Sequence, residues 1–182
     1  MSNLKALRER INSVKSTQKI TSAMKMVAAA RLKKAQTQAE NARPYAEELA
    51  AMLGDIAAKT TDISNLPLLH GNGQDGRHLI VVVASDRGLC GAFNTNIAKA
   101  AKLHADKLVK QGKTVQFICI GRKGRDYLHK FYPQQIIAVH TEVNKPMPTY
   151  AAAEAIINDI LEKFANGDFD QCSLFYNKFF SA

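Results

Sequence analysis

Proline and glycine are missing from the first 43 residues, and so is every aromatic side chain before Tyr45. Nothing in that stretch interrupts a helix, and nothing in it stacks on a nucleic-acid base. Acids are almost missing too. Glu9 and Glu40 stand against ten bases (Lys5, Arg8, Arg10, Lys15, Lys19, Lys25, Arg31, Lys33, Lys34 and Arg43), which is +8 of the formal +9. The other 139 residues are therefore close to neutral. No apolar run approaches the roughly 18 residues that a membrane-spanning helix needs. Cysteines are few: Cys90, Cys119 and Cys172 are odd in number, widely spaced and form no CxxC pair, which reads as reduced core thiols in a cytosol-like compartment. The five histidines (His70, His78, His104, His129, His140) show no ligand spacing, so no metal is expected.

The length of 182 residues supports one ordinary domain plus an appendage. A basic, acid-poor start imitates a mitochondrial transit peptide, but the helical pattern runs on to about residue 58, far beyond a cleavable leader. Ser2 or Asn3 can cap that helix. From there Leu4, Leu7, Ile11, Val14, Gln18, Thr21, Lys25, Ala28, Leu32, Ala35, Ala39 and Ala42 follow a strict 3,4 spacing, the signature of a coiled-coil seam. Where the seam turns polar at Gln18, Thr21 and Lys25, a second apolar face of Ile20, Met24 and Val27 opens about a third of a turn away. Alanines at 23 and 28–30 keep the helix thin there. Pro44 removes one amide donor and predicts a kink rather than an end, because Tyr45 to Ala58 resumes the pattern. Such a rod is roughly 80 Å long, more than a domain of this size can bury by itself.

Thr60 to His78 reads as a linker, rich in turn residues (Asn65, Pro67, Gly71, Asn72, Gly73, Asp75, Gly76). Beyond it the period changes. Leu79 to Ala84, Val115 to Ile120, Ile136 to Val139 and Cys172 to Phe180 read as strands. Helices are expected over Asn94 to Gln111, over Arg122 to Phe131, and after the Pro146/Pro148 break, the last with Ile156, Ile157, Ile160, Leu161 and Phe164 on one face and Gly167 closing it. The alternation predicts an α/β fold with a parallel, doubly wound sheet. The domains are thus a shaft helix over 1–58, a linker over 59–77 and a Rossmann-like α/β domain over 78–182.

The loop Ser85-Asp86-Arg87-Gly88-Leu89-Cys90-Gly91-Ala92-Phe93-Asn94 lies where open α/β sheets bind ligands. It is neither GxGxxG nor a P-loop ending in GK[ST]. The simpler reading is a tight strand-to-helix turn allowed by Gly88 and Gly91, with Asn94 as N-cap. Asp86 and Arg87 lack a placed His, Ser or second carboxylate to complete a reaction, so an ion pair is the expectation. Gly121-Arg122-Lys123-Gly124 reads as a solvated turn at another sheet end. No cofactor is expected.

Three partners suit a basic helix. Nucleic acid wants aromatics among the bases, and an in-plane membrane helix wants Trp, Phe or Leu along one face, where this helix has Ala, Thr and Gln. Acidic protein loops around a rod fit its thinness, its length and its second face. A merely solvated helix normally mixes charges of both signs. The rivals are a nucleotide-dependent α/β enzyme, which tight ATP or NAD binding would favour, and a nucleic-acid binder with a basic arm, which a steep salt dependence at specific sites would favour.

Residues 17–29 (TQKITSAMKMVAA), then Arg43-Pro44-Tyr45, then residues 85–91 (SDRGLCG) with Asn94, closely resemble the gamma subunit family of F-type ATP synthases. The likeness covers essentially the whole chain in the family's order. It implies a non-catalytic rotor subunit whose N-terminal helix pairs with a long C-terminal helix and turns inside a hexamer of alpha and beta subunits. The Rossmann-like domain would lie near the shaft's foot, with the epsilon subunit and the membrane c-ring as further partners. Proton flow through the ring would drive the shaft, and ATP chemistry would sit on beta. The resemblance implies no specific nucleic acid and no lipid insertion.

Carried over by motif, Lys19, Ile20, Met24, Lys25 and Val27 would face beta and couple rotation to it, and Arg31, Lys33 and Lys34 would continue the basic surface. Asp86, Arg87, Gly88, Gly91 and Asn94 would be structural, linking the α/β domain to the shaft. The expected location is the cytoplasmic side of a bacterial inner membrane, since no leader is evident, and there is no cysteine-bearing insertion of the chloroplast kind. The sequence ends before the family's C-terminal helix, as a fragment or a natural truncation. The Leu4 to Val14 stripe would then stand exposed in the isolated chain, which predicts poor solubility or self-association.

Overall fold

A computed structural model describes residues 3–60, 66–145 and 147–180, without the side chain of residue 70. Ser2, residues 61–65 of the expected linker and Pro146 lie outside the described residues. The chain divides into two compact units, Met1–Thr61 and Asp62–Ala182.

The first unit is a single helix, α1, Leu4–Lys59, of 56 residues. Asn3 caps it: the backbone there is extended and the side chain accepts from the Lys5 amide at 3.2 Å. At the other end the Thr60 hydroxyl and amide both donate to the Ile56 carbonyl, at 2.7 and 2.9 Å. Pro44 lies inside the helix, which continues for 15 residues past it. No residue of α1 is buried.

The second unit starts with a single turn, α2 (Pro67–His70), and then alternates: β1 (Arg77–Val83), α3 (Phe93–Lys110), β2 (Thr114–Ile120), α4 (Arg122–Leu128), β3 (Ile136–His140), α5 (Tyr150–Ala165) and β4 (Gln171–Phe175). The four strands form one parallel sheet in the order β3-β2-β1-β4. β1 and β2 stay in step over all seven pairs, from Arg77↔Thr114 to Val83↔Ile120. A run of five buried residues in β1, His78 to Val82, reflects helices on both faces. On one face Ile80, Val82, Val115, Phe117 and Cys119 pack against α3 and Leu128 of α4. On the other, Leu79, Val81 and Ile118 pack with Phe169 and with Ile160 and Phe164 of α5. Each fully buried Leu, Ile, Val or Phe contributes about 1.5–3 kcal/mol by leaving water.

Four expectations need correction. β4 ends at Phe175 rather than Phe180, because its only ladder partner, β1, pairs last through Val82↔Phe175 and stops at Val83. α4 ends at Leu128, whose carbonyl takes the amides of both Phe131 and Tyr132 at 2.9 Å and so tightens the chain out of the helix. The apolar face of α5 is only partly used: Ile156 is buried, whereas Ile157 is 51% exposed and Leu161 38%. Of the three cysteines only Cys119 is a core thiol, pushed up to about 12 by burial. Cys90 stands in the glycine loop and Cys172 on the edge strand, both exposed.

Acid-centred ties fasten the start of β1. Asp170, just before β4, accepts from the Arg77 guanidinium and amide at 2.8 Å each, from Asn72 at 2.9 Å and from the Gly76 amide at 3.0 Å. Asp75 pairs with Lys113, and its other oxygen lies 2.8 Å from Nε2 of the buried His78. Hydrogen bonds from Arg77 and Asn72, with the two amides, hold the Asp170 carboxyl far below the usual carboxylate range. A carboxyl depressed in the folded state stabilises above its unfolded value near 3.9, and that stability is lost as pH falls below it. Asp170→Asn is therefore expected to lower Tm at pH 7, with the gap to the parent shrinking once pH drops below about 4. Thermal melts across that range check it, and a constant gap would mean the charge is not what fastens the strand.

Candidate functional site: the basic helix and the glycine loop

Within α1, helical periodicity decides which side chains share a face. Ile20, Met24 and Val27 are more than half exposed, and their 4,3 spacing continues to Arg31 and Lys34. One stripe therefore turns from apolar to basic within three turns. Lys25 falls instead on the Leu4–Ala42 seam, and Lys19 and Lys33 lie on the side of the helix away from both faces. The seam itself does not stop at Ala42. Ala46, Leu49, Leu53 and Ile56 carry the same spacing through Pro44, with the last three exposed at 41, 48 and 50%. The signal lies in the spacing of the sequence, and the kink expected at Pro44 masks it. Near the polar part of the seam, Thr17 and Thr21 donate their hydroxyls back to the carbonyls of Ser13 and Thr17, both at 3.0 Å, so these groups are satisfied inside the helix.

In the α/β unit the loop after β1 is held rigidly. The Asn94 side chain accepts from the Ser85 amide at 2.8 Å and donates to the Arg87 carbonyl at 3.2 Å and toward Cys90 Sγ at 3.0 Å. Asn94 is thus not the N-cap of α3. That position is Ala92, and Asn94 works inside the first turn as a brace across the loop. Gly91 has φ 58° and Leu89 φ 60°; the glycine adopts that region without strain, and the leucine sits in it fully exposed at the tip. The Gly88 position faces the Lys123 side chain.

Asp86 makes no pair with Arg87. Its two oxygens accept from the amides of Arg122, at 2.9 Å, and Glu142, at 2.8 Å, so one carboxylate ties the ends of β1, β2 and β3 together. Burial pushes this carboxyl up, but the two amides and the charges of Arg122 and Lys145 outweigh it and leave it below its ordinary value. Arg87 is exposed, and its backbone carbonyl is what the loop uses. Gly121, where α4 begins, has φ 98°, and a Cβ there would lie 2.2 Å from the Ala84 carbonyl oxygen. The turn expected to be solvated is therefore packed against β1, with Lys123 donating its amide to Ser85 at 3.0 Å.

The loop and α4 border an open cavity of about 340 Å³ lined by Leu89, Cys90, Asn94, Lys123, Tyr127 and Lys130. Its one carboxylate, Asp126, lies 3.7 Å from Lys123 and 3.0 Å from Arg125. The arrangement supplies no nucleophile–base pair, and Asp86, the acid nearest in sequence, is committed to backbone amides. Among the described residues no cluster of His, Cys, Asp and Glu is arranged to hold a metal ion. No described helix is long and apolar enough to cross a membrane.

A family model described as ATP synthase matches residues 3–182. The chain is 53% identical to the ATP synthase gamma chain of Acidiphilium cryptum (strain JF-5) over 182 residues, all of this chain and 62% of that one. It is 50% identical to the gamma chain of Rhodospirillum rubrum over 183 residues, covering 100% of this chain and 61% of the relative. It thus spans about three fifths of the length of these curated relatives. Among solved structures, the central stalk/c-ring of the Tetrahymena thermophila mitochondrial ATP synthase is similar in fold, with a TM-score of 0.65 at 24% identity over 89% of this chain and 66% of that one. The Euglena gracilis mitochondrial ATP synthase gives a TM-score of 0.52 at 18% identity, over 96% of this chain and 52% of the other.

Replacing Asp86 by Ala leaves the amides of Arg122 and Glu142 without their acceptor. The expected cost is about 1–2 kcal/mol, read as a lower urea midpoint at unchanged m-value. Arg87→Ala is expected to leave the midpoint in place, and equal losses in the two variants would contradict the division of roles described above.

Proposed function

The chain belongs to the ATP synthase gamma-chain family, and we propose that it is the central-stalk rotor element of an F-type ATP synthase. The observation that carries this reading is α1: 56 residues of helix with no buried residue, a 3,4 seam along its length, and, in the part up to residue 43, +8 of the chain's formal +9. A seam of that kind asks for a second helix. A basic rod with a separate apolar face asks for acidic surroundings that it passes rather than locks into.

In this reading the rod turns within a hexamer of alpha and beta subunits, and the α/β unit meets the epsilon subunit and the membrane c-ring. Proton flow through the ring drives rotation, and the asymmetric rod forces the catalytic sites on beta through their cycle. The chain itself is non-catalytic. The commitment of Asp86 to two backbone amides supports that, since it removes the one carboxylate of the glycine loop from chemistry. The complex sits on the cytoplasmic side of the bacterial inner membrane, with this subunit peripheral.

The coupling surface we propose is Ile20, Met24 and Val27, extended by Arg31 and Lys34 along the same stripe, with Lys25 on the neighbouring seam and Lys19 and Lys33 on the remaining side of the helix. Charge attraction at an effective dielectric near 20 falls off gently, at about 4 kcal/mol for two unit charges 4 Å apart and half that at 8 Å. Bases moving past acidic loops therefore keep an attractive surface through many angles, as interlocked side chains do not.

Met24→Lys in the assembled complex puts a further charge on the apolar part of that stripe. ATP-driven proton pumping is expected to fall several-fold more than ATP hydrolysis, with both rates measured on the same membranes. Equal loss of the two would remove Met24 from the coupling surface.

A further inference from the structure

Two imidazoles in the α/β unit have no part in the reading above. His78, Ile80 and Val82 alternate onto the sheet face that α3 covers, and His78 is 4% exposed. His104 lies on α3 between Ala101 and Ala105, which pack on that face, and reaches the edge strand β4. Its Nε2 is 3.5 Å from the Ser173 hydroxyl, and its ring lies 5.5 Å from that of Phe175. One of the two sheet edges is thus fastened to α3 through a titratable ring.

The charges around the pair are unequally shared. His78 has a carboxylate at 2.8 Å in Asp75, which also holds Lys113. His104 has none. Lys107 follows it on α3, and the β2 side chains on this face are the apolar Val115, Phe117 and Cys119. β4 offers only Ser173 and Phe175, and the one acid of α3, Asp106, is taken by Lys102 and Tyr132 at 2.6 Å each. Asp170 is committed to Arg77.

We propose that His104 forms an acid-sensitive latch on β4: with its ring neutral α3 holds the edge strand, and protonating it loosens that hold. Burial, then His78, then Lys107 hold His104 below the ordinary histidine value. As pH falls through about 6.5 the opened state takes up the proton first, so acid favours opening and the loss accumulates until the folded value is reached. The edge strand is the responsive part because β4 pairs with β1 alone, over five residues.

Residue-resolved hydrogen exchange on the 182-residue chain tests this. After correction for intrinsic rates, protection at residues 172–175 is expected to fall several-fold, with a ceiling of about tenfold, between about pH 7.5 and about pH 5.5, while the centre of β2 holds. His104→Gln keeps a polar side chain beside Ser173 and removes the charge, and its protection is expected to be flat across that range. Either an equal fall in the parent and His104→Gln or no fall in the parent would overturn the latch.

Discussion

A helix of about 80 Å cannot be sheltered by a chain of 182 residues, and the role proposed for the chain follows from that constraint. Helices in proteins draw most of their stability from burying an apolar face. α1 buries none of its residues, so what holds it as a helix here is local: the Asn3 cap, the Thr60 bond to Ile56, and a composition rich in Ala, Leu, Lys, Arg, Met and Gln. Its seam of Leu, Ile, Val and Ala at 3,4 spacing is apolar surface that a partner helix would take out of water. Its charge keeps the exposed rod in water and at the same time selects against basic surroundings.

The α/β unit solves a different problem with ordinary means. Helices on both faces bury the centres of β1 and β2, and three carboxylates supply most of the remaining ties. Asp170 fastens the start of β1 to the start of β4, Asp86 joins the far ends of three strands, and Asp106 ties α3 to Tyr132 beyond α4. Burial, with Asp106 as acceptor and charge, pushes the Tyr132 hydroxyl up to about 12, so that tie persists through neutral pH. In an α/β fold the loop after the first strand is the place where chemistry is commonly found. Here the same position is given over to backbone hydrogen bonds, and what it presents outward is an exposed leucine.

The order of helices and strands is legible because the period of the apolar pattern changes sharply after the linker, from 3.6 to continuous buried runs at Leu79 and Val115. The seam is legible up to Ala42 for the same reason, and beyond it Pro44 obscures a spacing that in fact continues. Element ends are less legible. Nothing local in Tyr176 to Phe180 says that β4 stops at Phe175; the stop is set by where β1 runs out, which is a property of the partner strand. The roles of Asp86, Asn94 and Asp170 are hidden for a related reason. Each takes hydrogen bonds from groups outside its own element, up to 98 residues away for Asn72 and Asp170, and a single sequence carries no record of such meetings. Asn94 shows how a residue type suited to capping is diverted when a loop needs bracing more than the helix end does. Gly121 carries a clearer signal, since a glycine at the end of a strand and the start of a helix invites the question of what a side chain would strike.

As proposed, α1 is a shaft surface that a partner helix and acidic protein loops cover on assembly. Hydrogen exchange along α1 measures this most directly, comparing the chain alone with the same segment in an assembled ATP synthase. Exchange over residues 4–56 is expected to slow at least about tenfold on assembly, with the strands β1 and β2 unchanged. If α1 exchanges at the same rate in both, it is a solvated appendage, and the rotor reading fails with it.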